Sequence, residues 1–324
     1  MELALVKKTP KGIKLNQQMR TGRERTPLQK MKRHWQLYLV VFLPVLYIII
    51  FKYIPMYGAQ IAFRDYEAYR GITGSAWIGF KNFEYFFKSP VFWRLINNTL
   101  GISIYSLLAG FPIPILLALA LNEVGKKYFQ KTVQMVTYAP YFISTVVMVS
   151  MIIQFLSPSV GVIPHILGLM GIETQNILGS PQYLKSIYVW TGVWQYTGFS
   201  SVIYIATLAS VDPSLSEASI VDGASKLQRI WHINVPAIMP TAIILLILNV
   251  GQVMNVGFEK VFLMQNPLNM STADVIATYV YRIGLIGSQY SFSTAVSLFN
   301  SVVNLLLIVT VNQLAKKFGE TSLW

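Results

Sequence analysis

The chain has 324 residues, of which 54% are hydrophobic and only 12% are charged. A soluble domain carries about 25% charged residues, so this composition places the chain among membrane proteins. It contains no cysteine, which excludes disulfides, cysteine-ligated zinc, iron–sulfur clusters and thiol catalysis. The formal net charge of +13 lies mainly at the ends of apolar segments, so membrane topology explains it better than nucleic-acid binding does.

The N-terminal segment, residues 1–34, is polar and holds ten Lys or Arg and two Glu. It predicts a basic cytoplasmic tail. The apolar segment that follows is long enough to remain as a membrane anchor, so no cleavable signal peptide is predicted.

Six apolar segments are long enough to cross a hydrocarbon core of about 30 Å as helices. They are predicted at residues 36–56, 95–122, 133–156, 186–209, 237–256 and 292–315. The sequence therefore predicts an all-α, polytopic membrane protein with six transmembrane helices. The membrane domain covers residues 35–318, and a short cytoplasmic tail follows at 319–324.

The Lys and Arg residues beside the spans predict the orientation. Seventeen lie on the side of the N-terminal tail and nine on the other side, so both termini are predicted to be cytoplasmic. Residues 210–236 then form a cytoplasmic loop between the fourth and fifth spans. On the outer side, Ser271 and Asp274 predict the start of a surface helix over 269–286.

The loop contains EASIVDGASKLQRIWHINVP at 217–236, an unusually polar stretch for this chain. Ser214, with Glu217 three residues later, predicts a capping box and a short helix over about 215–222. Gly223 permits a turn, and SKLQRIWHI predicts a second short helix. Pro236 suits the first turn of the fifth span. Two short helices folded across a glycine form a surface on which a partner can dock.

The spacing of this loop resembles the EAA loop of bacterial ABC importer permeases. The family pattern is E-A-A, three residues, G, nine residues, I, one residue, L-P. This chain has E-A-S at 217–219, Gly223, Ile233 and V-P at 235–236, so Ser219 and Val235 are departures from it. The resemblance implies the type I ABC importer (MetI-like) permease fold, in which this loop is the coupling helix that docks on an ATP-hydrolysing subunit.

The resemblance implies a set of docking residues: Glu217, Ala218, Ser219, Asp222, Gly223, Ala224, Ile233 and Pro236. For Glu217 the local chemistry leaves two roles open, a helix cap and a docking contact. The two roles are compatible.

Other segments, including GFKNFEYFF, YAPYFIS and FEKVFLMQNP, resemble the polysaccharide-type branch of carbohydrate-uptake permeases. Within that branch the chain looks like the first permease subunit of an alginate-oligosaccharide importer. The resemblance covers residues 35–318. It implies a bacterial inner membrane location, a second permease subunit, two ATPase subunits that bind ATP and Mg²⁺, and an extracellular or periplasmic solute-binding protein.

No motif of the sequence predicts a catalytic, cofactor or metal site in this chain. The pattern G-x-x-x-x-G-K-[ST] is absent, so the chain is not expected to bind ATP. The three histidines, at 34, 165 and 232, are too scattered to predict a metal site.

The predicted spans contain almost no ionised residues, which disfavours a proton- or sodium-coupled carrier and fits a sugar passage. The candidate pathway residues are Gln195, Tyr196, Asn249, Gln252, Asn255, Glu259, Asn300 and Asn304. The spacing of Asn249, Gln252 and Asn255 predicts one helix face. Hydrogen bonding between helices is the alternative role for each of them. An EAA-type permease for peptide, phosphate or amino acid remains open, as does, less favoured, a secondary carrier or channel.

Overall fold

The computed structural model describes residues 34–172 and 176–317, and most of this part is helical. The predicted basic tail, apart from His34, and the predicted C-terminal tail lie outside the described residues. The chain divides into two compact units, residues 1–58 and 59–324.

The described part of the first unit is an apolar helix. Helix α1, Trp35–Ile48, continues through a π-helical turn, Ile49–Tyr53, into α2, Ile54–Met56. None of these residues is buried within the chain. Large apolar side chains exposed along a whole helix suit a lipid environment.

The second unit is a set of helices with one small antiparallel sheet. In this sheet Arg64 lies opposite Trp77 and Asp65 opposite Ala76. The elements from the end of α2 onward are, in chain order, a 3-10 helix Tyr57–Phe63, β1 Arg64–Asp65, α3 Gly71–Gly74, β2 Ala76–Trp77, α4 Lys81–Lys88, α5 Phe92–Gly110, α6 Pro112–Asn122, α7 Lys127–Tyr138, a 3-10 helix Ala139–Phe142, α8 Thr145–Phe155, α9 Val162–Leu169, α10 Pro181–Ala209, α11 Pro213–Val221, α12 Lys226–Arg229, a π-helix Ile230–Asn234, α13 Val235–Val250, α14 Phe258–Met264, α15 Met270–Ala273, α16 Ile276–Tyr281, a π-helix Arg282–Ile286 and α17 Tyr290–Lys317.

Four helical stretches of the described chain are long and apolar enough to cross a membrane. They are Trp35–Phe63, Phe92–Asn122, Lys226–Val250 and Tyr290–Lys317, and they correspond to the first, second, fifth and sixth predicted spans. The fourth predicted span is present as α10, which is 29 residues long. Its Thr, Gln and Ser residues make it more polar than the other four.

The third predicted span, 133–156, is not one straight helix, and whether it crosses the membrane stays a prediction. Lys127–Phe142 and Thr145–Phe155 meet at an angle of 96°, as in a broken span or a re-entrant loop. Ile143 is extended, and Ser144 starts a new helix by accepting the amide of Val147 at 3.4 Å. Pro140 lies in the 3-10 turn before this break, where its missing N–H opposes a continuous helix.

Two of the π-helical turns precede prolines. Ile49–Tyr53 ends two residues before Pro55, and Ile230–Asn234 ends two residues before Pro236. Proline has no amide and its ring collides with the preceding turn, so a wider turn lets the helix continue. The second short helix predicted in the loop is therefore wrong as a separate element, because it is the first part of the helix Lys226–Val250.

Helix α10 is central to the second unit, since it packs against α5, α6, α7, α13 and α15. Gly198 allows its close approach to α7, because a Cβ there would collide with the main chain of Thr137. An apolar cluster joins α6, α10 and α13: Ala118, Leu119, Tyr204, Leu208, Ile238 and Ala242. The three helices are thus held as one packed body.

A buried acid joins α5 to the segment between α15 and α16. Asp274 is 1% exposed, and its Oδ2 lies 2.7 Å from Nη2 of Arg282 and 3.5 Å from Nη2 of Arg94. Asn98 donates to the carbonyl of Asp274 at 3.0 Å. The predicted helix start at Ser271 and Asp274 is wrong, since Ser271 lies inside α15 and the carboxylate of Asp274 is held by the two arginines.

Candidate functional site

The polar loop begins with α11, which starts earlier than predicted. Its N-cap is Asp212, whose Oδ1 accepts the amide of Ser214 at 2.9 Å, and Pro213 occupies the first turn. This hydrogen bond lowers the pKa of the Asp212 carboxyl. The predicted capping box of Ser214 and Glu217 is therefore wrong. A proline in the first turn lacks an amide that would be unpaired there anyway, so Asp-Pro forms a better start.

The corrected cap leaves Glu217 free. Its carboxylate has no hydrogen bond or ion pair within the described residues, and the side chain is exposed. Ala218 and Asp222, on the same short helix and at its end, are also exposed. Docking on a partner stays a prediction for all three residues, but capping does not occupy Glu217.

Gly223 ends α11 in the way the sequence predicts. Its φ is +77°, in the region that residues with a Cβ rarely adopt. The amides of Gly223 and Ala224 donate to the carbonyls of Ile220 and Ser219 at 3.0 and 2.9 Å. These two bonds are the Schellman motif, which satisfies the last carbonyls of the helix and fixes the turn.

A capping box does exist in this loop, eleven residues beyond the predicted one. Ser225 accepts the amide of Gln228 at 3.4 Å, and Gln228 Oε1 accepts the amide of Ser225 at 2.8 Å. The S-x-x-Q pattern that forms it is visible in the sequence. It starts the long helix Lys226–Val250 directly after the glycine turn.

The loop also exposes large apolar side chains. The exposed fractions are 55% for Leu215, 55% for Ile220, 88% for Val221, 77% for Leu227 and 69% for Trp231. Apolar side chains exposed among polar ones are typical of a surface that contacts another protein. Ile233 and Pro236, at the end of the predicted docking set, lie in and just after the π-helical turn.

Glu123 ties this loop to the end of α6. Its Oε2 accepts a hydrogen bond from Nη2 of Arg229 at 2.8 Å, and its Oε1 accepts one from Nδ2 of Asn234 at 3.2 Å. The side chains of Arg229 and Glu123 are only 15% and 16% exposed. Sequence reasoning missed this contact, because the partners are 106 residues apart and no local pattern connects them.

Two adjoining cavities of about 590 and 370 Å³ lie in the second unit. Residues of α5, α6 and α10 and of the segment after α13 line both of them. The shared lining residues are Ser106, Gly110, Pro114, Tyr188, Ser200 and Gly257. Hydroxyl groups and an aromatic ring in a concave wall suit a ligand that carries many hydroxyls.

The larger cavity brings together three of the predicted pathway residues, Asn249, Gln252 and Asn255. Only Asn249 lies on α13, which ends at Val250. Gln252 and Asn255 lie in the turns that follow, where Asn255 Nδ2 donates to Gln252 Oε1 at 2.7 Å. The predicted common helix face is wrong, although the three side chains reach the same cavity.

Two further pathway candidates, Tyr196 and Glu259, line the smaller cavity. Gln195 is placed differently. It is 2% exposed and donates to the carbonyl of Ile143 at 2.8 Å, where the bent pair α7–α8 breaks. This bond is the interhelical role that the sequence left open for it.

Asn300 and Asn304 hold the segment after α13. Asn300 Nδ2 donates to Asn255 Oδ1 at 2.9 Å, and Asn304 Oδ1 accepts the amide of Met254 at 3.1 Å. Through these bonds α17 supports the wall of the larger cavity. A contact of either residue with substrate stays a prediction.

Lys260 is a cavity residue that sequence reasoning missed, since its charge counts there only toward topology. It is 7% exposed and lines the smaller cavity. Its Nζ donates to the carbonyl of Tyr188 at 2.8 Å and lies 4.7 Å from the centre of the Tyr188 ring. Burial lowers the pKa of Lys260 to about 8.

Comparisons with known proteins give a consistent result. Residues 110–319 match the family described as binding-protein-dependent transport system inner membrane component. The chain is 43% identical over 294 residues to Protein LplB of Bacillus subtilis (strain 168), covering 91% of this chain and 92% of that protein. It is 41% identical over 297 residues to the polygalacturonan/rhamnogalacturonan transport system permease protein YteP of the same strain, covering 92% of each.

Among solved structures, the chain resembles one in the crystal structure of a bacterial alginate ABC transporter in complex with an alginate pentasaccharide-bound periplasmic protein. The TM-score is 0.84 at 39% identity, covering 92% of this chain and 100% of that chain. A bacterial ABC transporter involved in the import of the acidic polysaccharide alginate gives a TM-score of 0.83 at 40% identity, covering 90% and 98%. The likeness thus extends over nearly the whole chain.

Proposed function

This chain belongs to the family of binding-protein-dependent transport system inner membrane components, and from that premise we propose that it is the permease subunit of an ATP-driven importer of acidic oligosaccharides. The observation that carries the proposal is the pair of adjoining cavities of about 590 and 370 Å³. Their walls offer amides, hydroxyls, aromatic rings and one buried cation, Lys260.

The substrate class is supported from two directions. A relative that covers most of the chain is named for polygalacturonan and rhamnogalacturonan, and a similar solved transporter imports the acidic polysaccharide alginate. In this chain, Asn249, Gln252 and Asn255 supply donors and acceptors for sugar hydroxyls, and Tyr188 and Tyr196 supply faces on which a sugar ring can stack.

ATP would act on this chain through the loop 210–236. We assign docking on an ATPase subunit to Glu217, Ala218, Ser219, Asp222, Gly223, Ala224, Ile233 and Pro236. The free Glu217 carboxylate and the exposed Val221 and Leu227 support this role. Two such subunits carry ATP and Mg²⁺, so this chain itself is a non-catalytic component.

The remaining partners follow from the same arrangement. A second permease subunit, in a heterodimer, completes the passage, and an extracellular or periplasmic solute-binding protein delivers the sugar. The similar alginate transporter was solved with a periplasmic protein that carries an alginate pentasaccharide. The chain lies in the bacterial cytoplasmic membrane with both termini in the cytoplasm. Closure of the ATPase subunits moves the loop, and reopening of these subunits returns the cavity to the inward side.

The proposal is tested by uptake into proteoliposomes that contain this chain, its partner permease and the ATPase subunits. With the cognate binding protein outside, trigalacturonate or an alginate trisaccharide should accumulate only when ATP is enclosed. Uptake without ATP would identify a secondary carrier. ATPase stimulation by binding proteins loaded with peptide, phosphate or amino acid, and by none loaded with sugar, would identify a permease for another solute.

A further inference from the structure

Lys260 is a buried cation that lacks a carboxylate partner within the described part of the chain. It is 7% exposed, and its hydrogen bond goes to the neutral carbonyl of Tyr188. An ammonium group has three donors. One of them is used by this carbonyl, and the ring of Tyr188 lies 4.7 Å away. The positive charge is therefore only partly compensated.

Within the described residues, two acids with little exposure lie in ion pairs. Asp274 lies against Arg282 and Arg94, and Glu123 lies against Arg229. Removing a charge from water is unfavourable unless an opposite charge compensates it. Lys260 departs from this pattern at the wall of a cavity, which is where an arriving anion can supply the missing charge. Burial lowers its pKa to about 8, so the group remains largely protonated near neutral pH.

We propose that Lys260 is the site in the smaller cavity that binds the carboxylate of an acidic sugar unit. This inference deepens the proposed function and rests on it. The recognition is charge-assisted hydrogen bonding from Nζ to a carboxylate oxygen, in a place where water is scarce.

The surroundings of Lys260 leave room for such a ligand. Gly192 of α10 also lies beside Lys260: a Cβ there would lie 3.4 Å from Nζ and meet no other atom within 4 Å. Hydroxyls of Ser106 and Ser200 line the same cavity and can bind the sugar hydroxyls.

Glu259 also lines this wall but is exposed, and it is not paired with Lys260. Its carboxylate repels an acidic ligand. The carboxylate of the sugar is therefore expected to lie on the side of Lys260 rather than on that of Glu259.

The test is equilibrium binding to the purified complete importer, with the binding protein omitted so that only the permease cavities are probed. The probes are trigalacturonate and its methyl ester, which has the same rings without the charges. Lys260→Met should weaken trigalacturonate binding about tenfold or more and leave ester binding unchanged. Lys260→Arg, which keeps the charge, should retain preference for the acid. Glu259→Gln is the matched control on the same wall and should raise that preference.

The outcomes separate the two claims. Equal weakening of acid and ester by Lys260→Met would show a structural role and overturn the inference, as would unchanged binding of both. If the wild-type importer binds or imports neither oligosaccharide, the proposed function fails with it. If the wild type imports trigalacturonate and Lys260→Met binds it equally well, only the inference fails. Co-purification of both permeases and an unchanged thermal midpoint show that the variant is folded.

Discussion

Two glycines fix the geometry of α10 and of the loop that follows it, each for a different physical reason. At Gly198 the main chain of α7 comes so close that no side chain fits. At Gly223 there is open space, and only the positive φ requires glycine. The first position is a matter of packing between helices and the second of backbone conformation.

Gly198→Ala should destabilise the protein by about 1–3 kcal/mol or more, because its Cβ meets rigid main-chain atoms of Thr137. Gly110→Ala is the matched control, since it is also a helical glycine but its Cβ would meet nothing within 4 Å. The thermal midpoint of the purified permease in detergent measures both effects. Equal midpoints for the two variants would contradict the close packing of α7 on α10.

Single residues also show what the sequence can and cannot reveal. The turn at Gly223 is predictable, because the glycine follows a short helix with suitable spacing. The sequence pattern favours Ser214 as the N-cap, but Asp212 and Pro213 form a competing and better start. Lys260 and Glu123 could not be recognised, because their importance depends on partners and burial that only the fold creates.

The polar loop runs into a membrane helix without a break. Helix α12, the π-helical turn and α13 form one continuous helix, Lys226–Val250. Its first part is clamped to the end of α6 by Glu123. We therefore expect a displacement of the loop to be passed to helices whose residues line the larger cavity.

A double-mutant cycle on Glu123→Gln and Arg229→Met should give a coupling energy of about 1–3 kcal/mol, because the pair is mostly buried. The control cycle uses Glu84 and Lys88, which are 3.7 Å apart and largely exposed, and should give a coupling too small to resolve. Thermal or denaturant unfolding of the four variants measures each cycle. A coupling near zero for Glu123 and Arg229 would show that the clamp does not hold the loop.

Helices can be predicted from the sequence where a long apolar segment defines them. They are harder to predict where a helix breaks or ends early. The spans at Phe92–Asn122 and Tyr290–Lys317 follow from long apolar segments. The 96° bend before Thr145 could not be predicted, because a proline in an apolar segment permits either a mild kink or a break. The end of α13 at Val250 could not be predicted for a similar reason. The three-residue spacing of Asn249, Gln252 and Asn255 continues past the end of the helix.

For the whole molecule, the predicted all-α, type I ABC importer permease fold is confirmed by the family match and by the likeness to alginate transporter chains. The EAA-like loop indicates the family from the sequence alone, because Glu217, Gly223, Ile233 and Pro236 stand at the spacing of the family pattern. The walls of the two cavities consist of residues from distant parts of the chain, so the composition of these walls becomes visible only after folding.

If ATP hydrolysis on a partner drives this chain through the loop 210–236, Ala218→Arg should interrupt that coupling. Ala218 is exposed on α11, so a large charged side chain should block docking without disturbing the fold. The control is Gly125→Arg, which adds the same charge at an exposed position where a Cβ would meet nothing within 4 Å.

The measurement is ATP-driven oligosaccharide uptake together with binding-protein-stimulated ATPase activity in proteoliposomes. We expect Ala218→Arg to abolish both while the two permease subunits still co-purify, and Gly125→Arg to retain both. Uptake and stimulated hydrolysis at wild-type rates in Ala218→Arg would contradict the assignment of the loop as the place where ATP hydrolysis acts on this protein.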